Sequence, residues 1–177
     1  MIKDNEKFCK SAKGIKLIFF DVDGTLTDGK IYMGNSGELF KAFYIKDGCG
    51  IHDILPKLGI VPVVITARKS EIVLNRCKEL GITECYQGIR DKLSKMSEIA
   101  EKYGLQKNEN GIFEEAAYMG DDIIDIECMK HCGMVACPND AVREVKEISD
   151  FIAEHNGGNG AVREFIDNID YFKLNKS

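Results

Sequence analysis

The chain has 177 residues, 44% hydrophobic and 30% charged, with a net charge of −5 at neutral pH. That length suits one well-cored domain, residues 1–177, rather than two. The acidic balance argues against nucleic acid or an anionic membrane as main partner, and no apolar run reaches membrane-spanning length. The polar start lacks an apolar signal core, and seven cysteines, an odd number scattered along the chain, read as reduced thiols. A cytoplasmic location is expected. Cys128, His131, Cys132 and Cys137 lack the tight paired spacing of a closed zinc site, so core packing is their better account.

In chain order, residues 1–13 read as a loose polar end. Short continuous apolar runs then predict strands at 16–20, 61–66, 84–87, 116–120, 133–137 and 150–153. Amphipathic stretches at about 48–58, 69–80, 90–103, 122–131, 139–147 and 160–170 predict helices. Strands apolar on both faces and alternating with helices imply an α/β fold, a Rossmann-like doubly wound parallel sheet. Residues 30–45 break the rhythm: two β-rich arms around Gly34-Asn35-Ser36-Gly37 predict a hairpin flap. Residues 155–177 form a glycine-rich tail and helix, with the last five or so expected to be loose.

In such a sheet the C-terminal strand ends share one rim, where ligands bind. Asp21 and Asp23 follow the first strand, Thr66 and Arg68 the second, Asp121 and Asp122 the strand at 116–120, and Lys92 opens a helix. Two carboxylates and a lysine around a magnesium ion suit phosphoryl transfer to an aspartate, with Asp21 as nucleophile. Asp23 is placed to act as acid and base, Thr66 to hold a phosphate oxygen, and Lys92 to neutralise charge. Taken singly, each group has a plain structural explanation: a solvated turn, a strand end, a surface lysine, a helix cap at Asp122. Four such features in order on successive strand ends favour the chemical reading.

The segments DVDGTLTD (21–28), ITAR (65–68), Lys92 and GDDIID (120–125) resemble the four signatures of haloacid dehalogenase superfamily phosphatases. A narrower resemblance, to members acting on 3-deoxy-D-manno-octulosonate (Kdo) 8-phosphate, rests on DGKIY, IKDGCGI (45–51), ARKSEIVLNRCKELGI (67–82), YQGIRDKL (86–93) and GGNGAVREFI (157–166). The resemblance implies a capless enzyme, commonly a homotetramer whose hairpins associate. It makes Asp21 nucleophile and magnesium ligand, Asp23 acid/base and ligand through its main-chain carbonyl, and Asp121 the remaining carboxylate ligand. Asp122 and Asp125 become outer supports. Arg68, Lys46 and Arg76 become candidates to meet the sugar acid or a neighbouring subunit. Ala67 stands where the family usually has glycine, and Asn159 where it often has arginine. A nine-carbon keto-sugar acid 9-phosphate is the alternative substrate, and a phosphoreceiver-type switch the alternative from another class. Asp47 and Gly48 read as a turn entering the next helix.

Overall fold

The structure, a computed structural model, describes residues 1–174. Strand β1 (Leu17–Phe20) is buried along its whole length. Leu17 and Phe19 enter one apolar cluster, Ile18 and Phe20 the other. A strand whose alternate side chains both need cover belongs in the middle of a two-sided sheet. It pairs in parallel with β4 (Val61–Thr66) on one side and β6 (Phe113–Met119) on the other. The full order is β5–β4–β1–β6–β7–β8, with β5 at Glu84–Gln87, β7 at Cys132–Cys137 and β8 at Phe151–Ile152.

Three helices cover one face: α1 (Asn5–Gly14) through Phe8 and Ala12, α3 (Glu71–Glu79) through Val73 and Cys77, and α7 (Ala161–Leu174) through Phe165, Ile166 and Ile169. Helices α4 (Lys92–Lys102), α5 (Ile126–Met129) and α6 (Arg143–Ile148) cover the other, through Met96 and Ile99, Cys128 and Met129, and Val145. Cys128, Cys132 and Cys137 are buried in this second cluster. The sheet is doubly wound, as the sequence pattern implies. Among the described residues no helix is long and apolar enough to cross a membrane.

The sequence reading differs from the structure in several places. Residues 1–13 are not a loose end. Asp4 caps α1 by accepting from the Lys7 amide at 3.0 Å, and Phe8 packs on the rings of Phe151, Phe165 and Phe172 at centroid distances of 5.9, 6.4 and 5.5 Å. Only Phe8 and Ala12, one turn apart, are buried in this otherwise polar helix, too few to register in average polarity. Helix α2 begins at Ile45–Cys49 and continues as helical turns over Gly50–Ile54 and Leu55–Leu58, so it starts three residues earlier than expected. Asp47 and Gly48 lie inside it rather than in an entering turn. Gly48 is a packing glycine: a Cβ there would sit 2.2 Å from the Arg76 Nη2. Asp47 is buried and accepts from the amides of Gly160 and Arg163, capping α7. Strand β6 starts at Phe113 because Glu114 and Glu115, at the far end of the sheet from the rim, are not fully enclosed.

The hairpin is narrower than 30–45. Its arms are β2 (Tyr32–Gly34) and β3 (Gly37–Phe40), and the Tyr32 and Phe40 rings stack at 4.3 Å. Between β1 and β4 the chain holds a tight turn over Val22–Leu26, this hairpin and the helical turns of 45–58. The expected loose C-terminal end falls partly on 175–177, outside the described residues; Lys173 and Leu174 belong to α7. The direction of winding reverses at β1, which opens a crevice beyond the C-terminal ends of β1, β4 and β6.

Phe8→Ala should destabilise the protein by about 3–5 kcal/mol through the cavity left among three rings. Urea unfolding checks this; a loss below about 1 kcal/mol would mean that α1 does not dock in solution.

Candidate active site

The loop leaving β1 is fixed by its backbone. The Asp21 amide donates to the Met119 carbonyl at 3.1 Å, tying the loop to β6. Gly24 has a φ of +99°, and a Cβ there would lie 2.0 Å from the Asp121 Oδ2, so both conformation and space demand glycine. The tail loop presses on the same peptide. A Cβ on Gly157 would fall 1.7 Å from the Gly24 carbonyl oxygen, and the Gly158 amide donates to the Thr25 carbonyl at 3.0 Å. Asn159 donates its amide to the Asn156 carbonyl and its side chain is exposed.

Three carboxylates meet above the strand ends. Oxygens of Asp21, Asp121 and Asp125 lie within 4.8 Å of one another. Lys92, the first residue of α4, donates to Asp21 Oδ1 at 2.7 Å and to Asp125 Oδ1 at 2.8 Å, and its side chain is 3% exposed. The helix that carries it is capped by Asp91, which accepts from the Ser94 amide. Asp125 is fully buried, and both its oxygens are engaged. Oδ1 also accepts from the Tyr118 hydroxyl at 2.8 Å, and Oδ2 accepts from the amides of Asp121 and Asp122. Asp121 Oδ1 accepts from the Thr25 hydroxyl at 3.0 Å. Asp121 keeps Oδ2 without a hydrogen bond among the described residues.

The carboxylate of Asp23 faces elsewhere, towards the hairpin. Lys41, which follows β3 and has a side chain 2% exposed, donates to Asp23 Oδ1 and lies 3.2 Å from Glu38 Oε1. Arg68 Nη2 donates to Glu38 Oε1 at 2.8 Å, Arg68 Nη1 lies 3.6 Å from Asp23 Oδ1, and Ser70 donates to Glu38 Oε2 at 2.7 Å. The hairpin is thus clasped to the β4–α3 connection across Asp23. Burial works against the Glu38 carboxylate, but Ser70, Lys41 and Arg68 outweigh it and hold its pKa below the ordinary range.

Thr66 ends β4 at 3% exposure, and its hydroxyl has no hydrogen-bond partner among the described residues. Asp122 is exposed and caps the 3-10 turn Ile123–Asp125 by accepting from the Ile123 amide. Lys46 and Arg76 are not drawn into the cluster. Lys46 is exposed beside a groove lined by Tyr44, His155 and Arg163, with its ammonium 6.0 Å from the Tyr44 ring centre. Arg76 donates to Glu79 at 2.8 Å and packs its guanidinium over Phe43. Both lie on helices, where sequence order does not reveal which face turns to the rim. Lys41 and Glu38 escaped the sequence reading because a lysine and a glutamate in a predicted hairpin look like solvated edge residues. The weak signal was their spacing, i and i+3 across the end of β3.

Burial raises the pKa of Asp21 to about 7, with Asp125 adding to the effect and Lys92 opposing it. Burial likewise raises Asp121 to about 7, reinforced by the charges of Asp21 and Asp125. Burial disfavours the Lys92 ammonium, but Asp21 and Asp125 outweigh it and lift its pKa above the ordinary lysine value. One lysine against three carboxylates leaves the site short of positive charge. A cluster of oxygen donors only fits a hard divalent ion such as magnesium.

Residues 81–166 match the family model of the haloacid dehalogenase-like hydrolases. The 3-deoxy-D-manno-octulosonate 8-phosphate phosphatase KdsC of Escherichia coli K12 is 42% identical over 156 residues, covering 88% of this chain and 79% of that protein. The enzyme of that name from Moraxella catarrhalis, solved with magnesium, phosphate and a Kdo molecule, superposes with a TM-score of 0.88 at 36% identity, covering 96% of this chain and 94% of the other. The cobalt-bound Haemophilus influenzae phosphatase superposes with a TM-score of 0.85 at 32% identity, over 92% of this chain and 91% of its own. The chain belongs to the haloacid dehalogenase-like hydrolases and, within them, to the family of the 3-deoxy-D-manno-octulosonate 8-phosphate phosphatases.

The raised carboxylates give the fold a pH signature. Between the unfolded value of 3.8 and about 7 the native state holds more protons than the unfolded chain, so stability falls as pH rises through that window. In chelator, the wild type should therefore lose melting temperature across that range relative to Asp121→Asn. Added magnesium should restore it more at about pH 8 than at about pH 5, by roughly 2.7 kcal/mol at a hundredfold excess over Kd. Melting curves that magnesium shifts equally at both pH values would contradict this.

Proposed function

We propose that this protein hydrolyses Kdo 8-phosphate to Kdo and inorganic phosphate, with Asp21 phosphorylated on the way. The observation that carries the reading is Lys92 bridging Asp21 and Asp125 beside Asp121, at the ends of adjacent strands. Asp21 attacks phosphorus and the bond to the sugar oxygen breaks, while Asp23 gives that oxygen a proton. Asp23 then takes a proton from water, whose oxygen attacks the phosphorus. The bond to Asp21 breaks, phosphate leaves and the carboxylate returns. Lys92 holds Asp21 in line through both steps, and the unpartnered Thr66 hydroxyl receives a phosphate oxygen.

Asp21, Asp121 and the Asp23 main-chain carbonyl would hold magnesium, which supplies charge compensation for the phosphoryl oxygens. Arg68 is the candidate for the sugar-acid carboxylate: its Nη1 is buried without a hydrogen-bond acceptor, and a guanidinium matches a carboxylate in geometry. Lys46 and Arg76 are left for a neighbouring subunit. Asp125 supports Lys92 from behind, and Asp122 supports the turn that places Asp121 and Asp125. The whole chain acts as one capless domain, with the hairpin as flap and the residues from 155 on as tail and helix.

We further propose a homotetramer working in the cytoplasm. Ile31, Met33, Leu39 and Phe40 of the hairpin are 49–63% exposed, an apolar face suited to a second copy, and all seven thiols are free. Light scattering should return about four times 19.8 kDa. Met33→Asp should dissociate the assembly, and a wild-type monomer would refute it.

The substrate is tested by phosphate release with magnesium from Kdo 8-phosphate, nononate 9-phosphate and neuraminate 9-phosphate, with Asp21→Asn as blank. Kdo 8-phosphate should lead by about a hundredfold in kcat/KM, roughly 3 kcal/mol of discrimination. A lead for a nine-carbon ester would move the assignment to that substrate. Covalent uptake of phosphate without release would make the protein a switch.

A further inference from the structure

Resting on the reading of Asp23 as acid and base, we propose that Lys41 is a positioning residue for that carboxylate. It holds Oδ1 so that Oδ2 alone is presented to the leaving oxygen. Every contact Asp23 makes with a cation falls on one atom: the Lys41 ammonium donates to Oδ1, and Arg68 Nη1 stands 3.6 Å from that same oxygen. Oδ2 has no partner among the described residues. A carboxyl group held in this way can accept from lysine through Oδ1 while Oδ2 carries the proton to be given up. After the transfer both oxygens are acceptors and Oδ1 keeps the same partner. The orientation therefore survives the change of role between the two half-reactions.

Lys41 is itself over-determined. Its side chain is 2% exposed, and its ammonium lies between Asp23 and Glu38. Glu38 is held in turn by Arg68 and Ser70, on the far side of the crevice. A lysine needed only to fasten a hairpin could reach Glu38 from the solvent side. Burial of the ammonium against the Asp23 oxygen costs desolvation that a fastening role does not require.

The test compares esters with different leaving groups, because an acid matters for an alkoxide and hardly for p-nitrophenolate. With magnesium present, Lys41→Met should lower kcat on Kdo 8-phosphate by about 100-fold, and on p-nitrophenyl phosphate by no more than about threefold. KM should change little for either ester. Lys41→Arg should recover most of the loss on the sugar ester. Asp23→Asn should show the same selective pattern, and the double variant should add little to it. Equal losses on both esters would overturn the proposal and leave Lys41 as a fastener.

Glu38→Gln keeps the inference testable if Lys41→Met does not fold, because it opens the clasp and leaves Lys41 on Asp23. Retained preference for the alkyl ester supports the proposal, and an alkyl-selective loss as large as that of Asp23→Asn overturns it. A wild type that cleaves p-nitrophenyl phosphate and not Kdo 8-phosphate would sink the substrate reading alone. The comparison is then made on whichever alkyl phosphate that wild type turns over.

Discussion

The structure depends on one electrostatic problem: Asp21, Asp121 and Asp125 converge in a place from which water is largely excluded. Three ionised carboxylates within 4.8 Å would repel by several kcal/mol even at a protein-like dielectric. The fold answers with a single buried lysine, with a tyrosine hydroxyl and two amides on Asp125, and with the pKa values of Asp21 and Asp121 raised to about 7. Each answer comes from a different element. Asp21 leaves β1, Lys92 opens α4, and Tyr118 and Asp121 lie in and after β6. The parallel sheet is the device that brings groups a hundred positions apart to one point.

A second charge network, around Asp23, is built on different terms. Here Lys41 and Arg68 face Asp23 and Glu38, so the charges balance without an ion from outside. The two networks divide the DVD segment between them. One carboxylate is left in need of a cation and the other is provided for. In the proposed reaction, Asp21 as nucleophile gains from the first arrangement, which keeps it from its neighbours until substrate and metal arrive. Asp23, as the proposed acid and base, gains from the second, which keeps one orientation through two opposite proton transfers.

Much of this was legible beforehand because it follows from continuous apolar runs. The apolar runs at 16–20, 61–66 and 116–120 read as strands covered on both faces, so Asp21, Thr66 and Asp121 at their ends had to share a rim. What escaped was whatever depends on a single side chain finding a distant partner. Phe8 sits in a helix too polar to look docked, yet three rings receive it. Gly48 resembled a turn glycine but makes room for Arg76, and Asp47 resembled a turn aspartate but caps a helix more than a hundred residues on. Lys41 resembled an edge lysine. Charged residues on helices and hairpins, such as Lys46, Arg76 and Lys41, have orientations set by tertiary packing, which no local pattern encodes.

The contact between Gly157 and the Gly24 carbonyl has a consequence for synthesis. The loop that carries Asp21 emerges from the ribosome first, but the backbone that presses it into shape emerges about 130 residues later. Until then the peptide at Gly24 lacks the neighbour that fits against it, and Asp47 lacks the helix that it caps. The geometry of the acidic site is therefore a property of the nearly finished chain. A nascent or truncated polypeptide can form the central strands and display all three acidic residues of the first loop without holding them in working order.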